Sequence, residues 1–270
     1  MIVEVEIIRT TGDTKPGPLA EIGGEGVFTA ELERALLDGR VDVAVHSLKD
    51  LPTQLHPELA LVATPQRVDV RDVLIALSAT SIEALRENAS VGSGSLRRQC
   101  QVLALRPDIR FVPIRGNVPT RIAQVREGVL DAVILAAAGL HRLGLEQKIS
   151  AYFDTGQMLP APGQAAIGLE MRGDSQLVEC VKQLNHAPTL ASVTAERCFL
   201  QALGGGCRAP IAAWGRVQSD ELYLDGLVGS ADGTRLIRDS VVGSPDAADH
   251  TGAGLASKLI DQGAQSLLPS

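Results

Sequence analysis

Short apolar runs alternate with amphipathic helical segments over the first two-thirds of the chain. Five of these runs have the length of a strand: residues 42–48, 59–64, 72–77, 109–114 and 131–139. Three helical patterns lie among them: residues 29–39, 96–106 and 120–129. Strands that alternate with helices are typical of α/β proteins. The pattern therefore predicts α/β units built on mostly parallel sheets.

Two segments are predicted to cross between lobes, residues 64–72 and the proline-containing stretch 159–168. Two crossings imply that the second lobe is inserted into the first. Paired crossings of this kind favour a hinge with a ligand cleft between the lobes. We expect three domains: residues 1–66 with 166–186 (domain 1), residues 67–165 (domain 2) and residues 187–270 (domain 3).

The last third of the chain changes character. A helical pattern over residues 189–203 ends at a run of three glycines, which is a common helix stop. Three strand-like runs follow, separated by the short turns "QSD" and "SADG". Such spacing predicts an antiparallel meander, and a closing helix is expected over residues 247–268. Domain 3 is therefore predicted to be a small α+β unit.

Composition excludes several classes of function. The net charge is −7 and only 3% of the residues are aromatic, which argues against nucleic-acid binding. No apolar run approaches the roughly 18–20 residues that span a membrane, and the N-terminus lacks the pattern of a signal peptide. We expect a cytoplasmic protein. The four cysteines form no zinc-binding spacing, so we expect no metal.

Arginine is concentrated in one region of this acidic chain. Residues 97–126 contain seven arginines and a single acidic residue, Asp108. "GSGSLRRQ" places Ser95, Arg97 and Arg98 at a predicted helix start, where backbone N–H groups favour an anion. The alternative is a solvated helix end with surface arginines.

Two further strand ends also carry arginine. Arg115 and Arg121 flank the turn in "IRGNVPTR", and Arg142 follows the strand that ends near Ala136. Ligands of α/β proteins bind at the carboxyl ends of strands, and guanidinium groups match carboxylates or phosphates. The arrangement predicts a ligand with several negative groups.

The segment "AVHSLKDLPT" ends a predicted strand with Ser47, Lys49 and Asp50. Asp50 is a candidate general acid or a carboxylate that stabilises a cation. A Lys–Asp surface pair before a turn is the alternative. His46 alternates with Ser47 and is interpreted as a structural residue of the strand.

The stretch "LGGGCRAP" holds Cys207 on a glycine-rich loop. A thiol becomes nucleophilic where cationic groups lower its pKa, and Arg208 is adjacent. A loop cysteine without a role is the alternative.

Six segments occur in the order of a known family: "AVHSLKDLPT", "GSGSLRRQCQ", "IRGNVPTR", "LAAAGLHRLG", "PAPGQAAIGLE" and "AERCFLQALGGGCRAP". They closely resemble the porphobilinogen deaminases, also called hydroxymethylbilane synthases. The resemblance implies two lobes similar to periplasmic binding proteins and a third domain. It also implies a transferase of porphyrin biosynthesis that joins four porphobilinogen units head to tail, releasing ammonia at each step. A monomer is expected.

The resemblance assigns roles to the candidate residues. Asp50 would be the catalytic aspartate, assisting loss of the amino group and stabilising the resulting azafulvene cation. Cys207 would hold a dipyrromethane cofactor through a thioether. The remaining cofactor-binding candidates are Lys49, Ser47, Ser95, Arg97, Arg98 and Arg121. The substrate-binding candidates are Arg115, Arg142 and Gln164.

The sequence departs from the family pattern in two places. The first strand–helix unit of the family is absent, and we expect that the start codon has been misassigned. Glu21 and Glu25 stand where the family commonly has lysines, and a carboxylate there should repel a polyanionic substrate. The alternative function is a truncated, non-catalytic homologue that binds polycarboxylates.

Overall fold

The structure is a computed structural model that describes residues 2–10, 29–205 and 209–268. Four residues named above, Glu21, Glu25, Cys207 and Arg208, lie outside these ranges.

The first sheet draws its strands from both ends of the predicted insertion. Its described strands are β1 (Ala44–Ser47), β2 (Leu59–Ala63) and β8 (Ile167–Arg172). β8 lies in the middle and pairs antiparallel with both neighbours. Helix α1 (Ala30–Leu37) packs its buried Leu36 against Ala44 and Leu59. The amphipathic pattern of α1 thus covers the apolar face of this sheet.

The second sheet has five described strands in the order β5-β4-β6-β3-β7. Their bounds are β3 (Asp72–Ala76), β4 (Ser90–Gly92), β5 (Arg110–Val112), β6 (Ala132–Ala136) and β7 (Ala151–Tyr152). The helices of this part are α2 (Leu96–Leu105), α3 (Val118–Arg126) and α4 (Ala137–Arg142). β3 and β6 are buried on both faces and separate two apolar cores, because their runs are apolar at nearly every position.

The expectation of mostly parallel sheets is wrong for the described strands. β4 is parallel to β5 and β6, but β3 pairs antiparallel with β6 and β7. The reason is the path of the chain between the two sheets. The chain enters the second sheet on β3 and returns to the first on β8, and each of these strands runs opposite to its neighbours.

The last third folds as predicted, into a meander with helices on one face. Strands β9 (Ile211–Gln218), β10 (Glu221–Gly229) and β11 (Leu236–Gly243) are antiparallel, with β10 in the middle. Helices α6 (Ala187–Ala202) and α7 (Ala248–Asp261) pack on them around buried Phe199 and Leu255. The short α5 (Val178–Lys182) precedes α6.

Candidate functional site

Four cationic side chains line a cavity of about 230 Å³ between the first and second sheets. They are Lys49, Arg98, Arg121 and Arg142. The described lining is otherwise neutral, with Ser47 at one side, and it includes no aspartate or glutamate. A concave surface with this excess of positive charge favours a ligand with several carboxylate or phosphate groups.

The β1 end supplies one wall of the cavity. Ser47 closes the strand, and a 3₁₀ turn over Leu48–Asp50 carries Lys49 and Asp50. The backbone N–H of Leu48 donates to the carbonyl of Ala166 at 3.0 Å, which ties this turn to the second crossing. Burial lowers the pKa of the Lys49 ammonium below its ordinary value of 10.5, while the Asp50 carboxylate opposes this shift.

Asp50 is half-buried and adjoins the cavity without being part of its lining. Its negative charge favours the charged forms of both Lys49 and Arg121. The backbone N–H of Leu51 donates to the carbonyl of Leu48 at 3.2 Å and closes the turn around Asp50. The structure therefore places a carboxylate beside the cations that would hold an anionic ligand.

Arg97 and Arg98, at the start of α2, are buried and share one carboxylate, that of Asp72 on β3. Arg97 Nη1 donates to Asp72 Oδ2 at 2.7 Å and to the Leu159 carbonyl at 2.8 Å. Arg98 donates to Asp72 Oδ1 through Nη2 at 2.7 Å and through Nε at 3.1 Å. The alternative of solvated surface arginines is therefore wrong.

Asp72 compensates only one of the two guanidinium charges. Burial alone would raise the pKa of the Asp72 carboxyl, but Arg97 and Arg98 outweigh burial and hold that pKa well below its usual range. Asp72 is fully buried, so the ion pairs are shielded from water. One positive charge remains in excess, and Arg98 presents it to the cavity.

Gln164, in the second crossing, reaches the same carboxylate. Its Nε2 donates to Asp72 Oδ1 at 3.1 Å and to the Val70 carbonyl at 2.8 Å. Gln164 is fully buried and does not line the cavity. In the structure it joins the two crossings to each other.

The Arg142 guanidinium is hydrogen-bonded to the backbone of Ala165, a residue with an unusual conformation. Its Nη2 donates to the carbonyl of Ala165 at 2.9 Å. Ala165 has a φ of 69°, in the left-handed region that side chains other than glycine rarely occupy. This conformation presents the Ala165 carbonyl to Arg142. The arginine thereby stays at the edge of the cavity.

Arg121 enters the cavity from α3. The side chain of Asn117 accepts from the Thr120 N–H at 3.0 Å and caps the helix, and Arg121 Nε donates to the Gly116 carbonyl at 2.8 Å. Burial, followed by the charges of Arg98 and Arg115, lowers the pKa of the Arg121 guanidinium, and Asp50 opposes this. Arg115 is half-buried and lies outside the lining.

The cationic region of residues 97–126 is not one surface. Arg98 and Arg121 line the cavity, whereas Arg106 forms an ion pair with Asp108 at 2.7 Å. Arg126 is largely exposed and has Glu127 within 3.6 Å. The charge pattern of the sequence therefore overstates the size of the anion-binding site.

Ser95 precedes α2 but its side chain makes no capping hydrogen bond, and it lies outside the cavity lining. Cys207, the candidate cofactor ligand, lies outside the described residues.

Two buried acidic residues that support the site, Asp72 and Glu196, were not predicted from the sequence. Asp72 holds Arg97 and Arg98. Glu196 on α6 accepts from Arg67 Nη1 at 2.6 Å and from the backbone N–H groups of Gly163 and Gly215 at 2.6 Å each. The only signal in the sequence is an acidic residue within an apolar strand or helix pattern, which becomes informative once its arginine partner is known.

The described residues contain no group of three or more His, Cys, Asp or Glu placed to hold a metal ion. Within the same part of the chain, every helix is too short or too polar to span a membrane.

The fold and the cavity together define a two-lobed α/β protein with a cation-lined cavity and a C-terminal α+β domain. The family model "Porphobilinogen deaminase, dipyromethane cofactor binding domain" matches residues 1–179. A second model, "Porphobilinogen deaminase, C-terminal domain", matches residues 190–261. The chain belongs to the porphobilinogen deaminase family, as the six sequence segments predicted. It is a transferase of porphyrin biosynthesis with a dipyrromethane-binding domain.

Relatives from several bacteria align along nearly the whole chain. The porphobilinogen deaminase of Roseiflexus castenholzii is 45% identical over 270 residues, covering 99% of this chain and 89% of the relative. That of Alkaliphilus metalliredigens is 47% identical over 269 residues, covering 98% of this chain and 84% of the relative. Among solved structures, an ABC transporter periplasmic substrate-binding protein from Coxiella burnetii covers 63% of this chain and 81% of its own, with 13% identity and a TM-score of 0.42.

Proposed function

We propose that the cavity holds the carboxylates of a growing pyrrole chain and that Asp50 promotes the loss of ammonia from each porphobilinogen. The observation that carries this proposal is the lining of four cations without a described acid, next to the half-buried carboxylate of Asp50. Each addition forms one carbon–carbon bond and releases one ammonia. Asp50 would stabilise the cation left on the substrate when ammonia leaves.

The residues of the cavity fit a dipyrromethane cofactor. Each pyrrole ring of such a group bears an acetate and a propionate, and the lining offers guanidinium and ammonium donors in excess. We propose that Ser47, Lys49, Arg98 and Arg121 hold the cofactor and that Cys207 binds it covalently. When bound, the cofactor supplies the pyrrole to which the first substrate is joined.

Arg97, Arg115, Arg142, Ser95 and Gln164 complete the proposed site. Arg142 and Arg115 are assigned to substrate carboxylates, since both lie close to the cavity. Arg97 and Gln164 would act through Asp72, which they contact directly. Ser95 stays a candidate cofactor ligand at the start of α2.

We propose that the protein works as a monomer in the cytoplasm, with domains at residues 1–66 with 166–186, 67–165 and 187–270. The described cysteines are free thiols, which agrees with a reducing compartment.

Replacing Arg121 with leucine tests the anion site. Loss of a hydrogen bond to a charged group costs about 1.5–3 kcal/mol, so kcat/KM for porphobilinogen should fall by roughly 10- to 100-fold. Arg126→Leu, on the same helix but largely exposed, is the matched control and should change kcat/KM less than about twofold. Equal kinetics for the two variants would contradict the proposed site. A chain that binds polycarboxylates without forming product would instead support the non-catalytic alternative.

A further inference from the structure

The guanidinium of Arg197, in the C-terminal domain, donates hydrogen bonds to the backbone carbonyls that directly follow Asp50. Arg197, on α6, donates through Nη1 to the Leu51 carbonyl at 3.0 Å and through Nη2 to the Pro52 carbonyl at 2.6 Å. A longer contact of 3.4 Å joins Nη2 to the Thr53 carbonyl. These three carbonyls belong to consecutive residues, so one side chain fixes the path of the chain as it leaves Asp50.

The contacts are strong enough to define a backbone position. Hydrogen bonds with an ionised donor are shorter and about twice as strong as those between neutral groups. The planar guanidinium also donates along fixed directions. Leu51 is buried at 3% exposure, and its own N–H closes the turn onto Leu48. Asp50 therefore sits between a closed turn on one side and an arginine anchor on the other.

The residue before Arg197 holds the opposite side of the same turn. Glu196 accepts from the backbone N–H of Gly163 at 2.6 Å. A Cβ placed on Gly163 would lie 3.1 Å from the backbone N of Lys49, so the two segments are in close contact. Two consecutive residues of α6 thus bracket the turn that carries Lys49 and Asp50.

We infer that Arg197 is a positioning residue for Asp50 and that the C-terminal domain thereby sets the geometry of the reaction. This inference rests on the role proposed for Asp50. A displacement of about 1 Å at a reacting group costs up to about 10²-fold in rate. Loss of the anchor should therefore lower kcat, whereas the cationic lining that binds the carboxylates stays in place.

Two variants of Arg197 and one control test the inference. Arg197→Leu should lower kcat by about 10- to 100-fold with KM changed less than about threefold, and the intact mass should still show the cofactor. Arg197→Lys keeps the charge but cannot span both carbonyls, so its kcat should fall by more than about twofold but by less than that of the leucine variant. Arg238→Leu is the control, because Arg238 also donates to backbone carbonyls of another domain, at Gly156 and Thr155, away from the cavity. Its kcat should stay within about twofold.

A double-mutant cycle separates positioning from simple structural support. If Arg197 acts through Asp50, then Arg197→Leu should have less than about a threefold effect on kcat when Asp50 is already asparagine. Equal effects in both backgrounds would overturn the inference, as would an Arg197→Leu or Arg197→Lys kcat within twofold of the unaltered chain. If the leucine variant does not fold, the lysine variant decides by the same comparisons. Full activity of Asp50→Asn alone would instead refute the role proposed for Asp50. That result can be distinguished from a failure of the inference about Arg197.

Discussion

Asp50→Asn is expected to lower kcat by a factor of about 10² to 10⁴, the usual contribution of a positioned acid or base. Asparagine keeps the shape of aspartate but carries no negative charge, so it cannot stabilise the cation left by departing ammonia. The cationic lining is unchanged, so KM and the cofactor content should change little. Steady-state kinetics with porphobilinogen and the intact mass of the variant provide the measurement.

The control for this variant is Asp38→Asn, which makes the same chemical change at an exposed position in the same lobe. Its kcat should lie within about twofold of that of the unaltered chain. An Asp50→Asn enzyme whose kcat falls less than tenfold would refute the proposed role of this carboxylate.

The second large effect is expected from Asp72→Asn, on the free energy of unfolding. Asp72→Asn leaves the Arg97 and Arg98 guanidinium groups buried without a compensating charge. Breaking a buried ion pair by removing one partner costs about 3–5 kcal/mol. The free energy of unfolding from urea or guanidinium titration should fall by that amount. Because Gln164 also donates to Asp72, the two crossings should loosen together.

Glu179→Gln is the matched control for Asp72→Asn, since it also converts a paired carboxylate to an amide. Glu179 is 82% exposed and pairs with Lys182 one helical turn away. Exposed pairs of this kind contribute about 0.3–0.5 kcal/mol. A loss for Asp72→Asn no larger than that of the control would show that the buried pair does not stabilise the fold.

The Asp72 carboxylate should make the free energy of unfolding depend on pH. The folded-state pKa of Asp72 lies well below its ordinary value of 3.8. A group with a lowered folded pKa stabilises the protein above its unfolded pKa, and that stabilisation is lost as the pH falls toward the folded pKa. Between neutral pH and pH 5, Asp72 should therefore contribute fully, and its contribution should decline below about pH 4. Asp72→Asn should lack this part of the acid transition.

Much of the fold follows from local sequence pattern. The apolar runs predicted as strands match β1, β2, β3, β5 and β6, because burial on one or both faces requires a continuous or alternating apolar pattern. Ser90–Gly92 was missed, since three residues are too few to show a period. Ile167–Arg172 was hidden by the prolines before it and by Glu170, a buried carboxylate whose partner, His46, lies 2.9 Å away on another strand.

The sequence predicts which types of residue form the site, but not which of these residues pair with each other. The sequence shows that arginines follow several strands, and the structure brings Arg98, Arg121 and Arg142 to one cavity. The sequence does not show that Arg97 and Arg98 share Asp72, which lies 25 and 26 residues earlier. Which anion a buried arginine meets depends on the packing of β3 against α2. Such pairings are long-range and leave no periodic trace in the sequence.

The most direct test of the account is the intact mass of the purified chain, combined with Ehrlich's reagent for pyrroles and peptide mapping. The account predicts a mass increment equal to one dipyrromethane on Cys207, and the loss of that increment in Cys207→Ser. A bare polypeptide mass with no pyrrole reaction, or an increment that persists in Cys207→Ser, would contradict it.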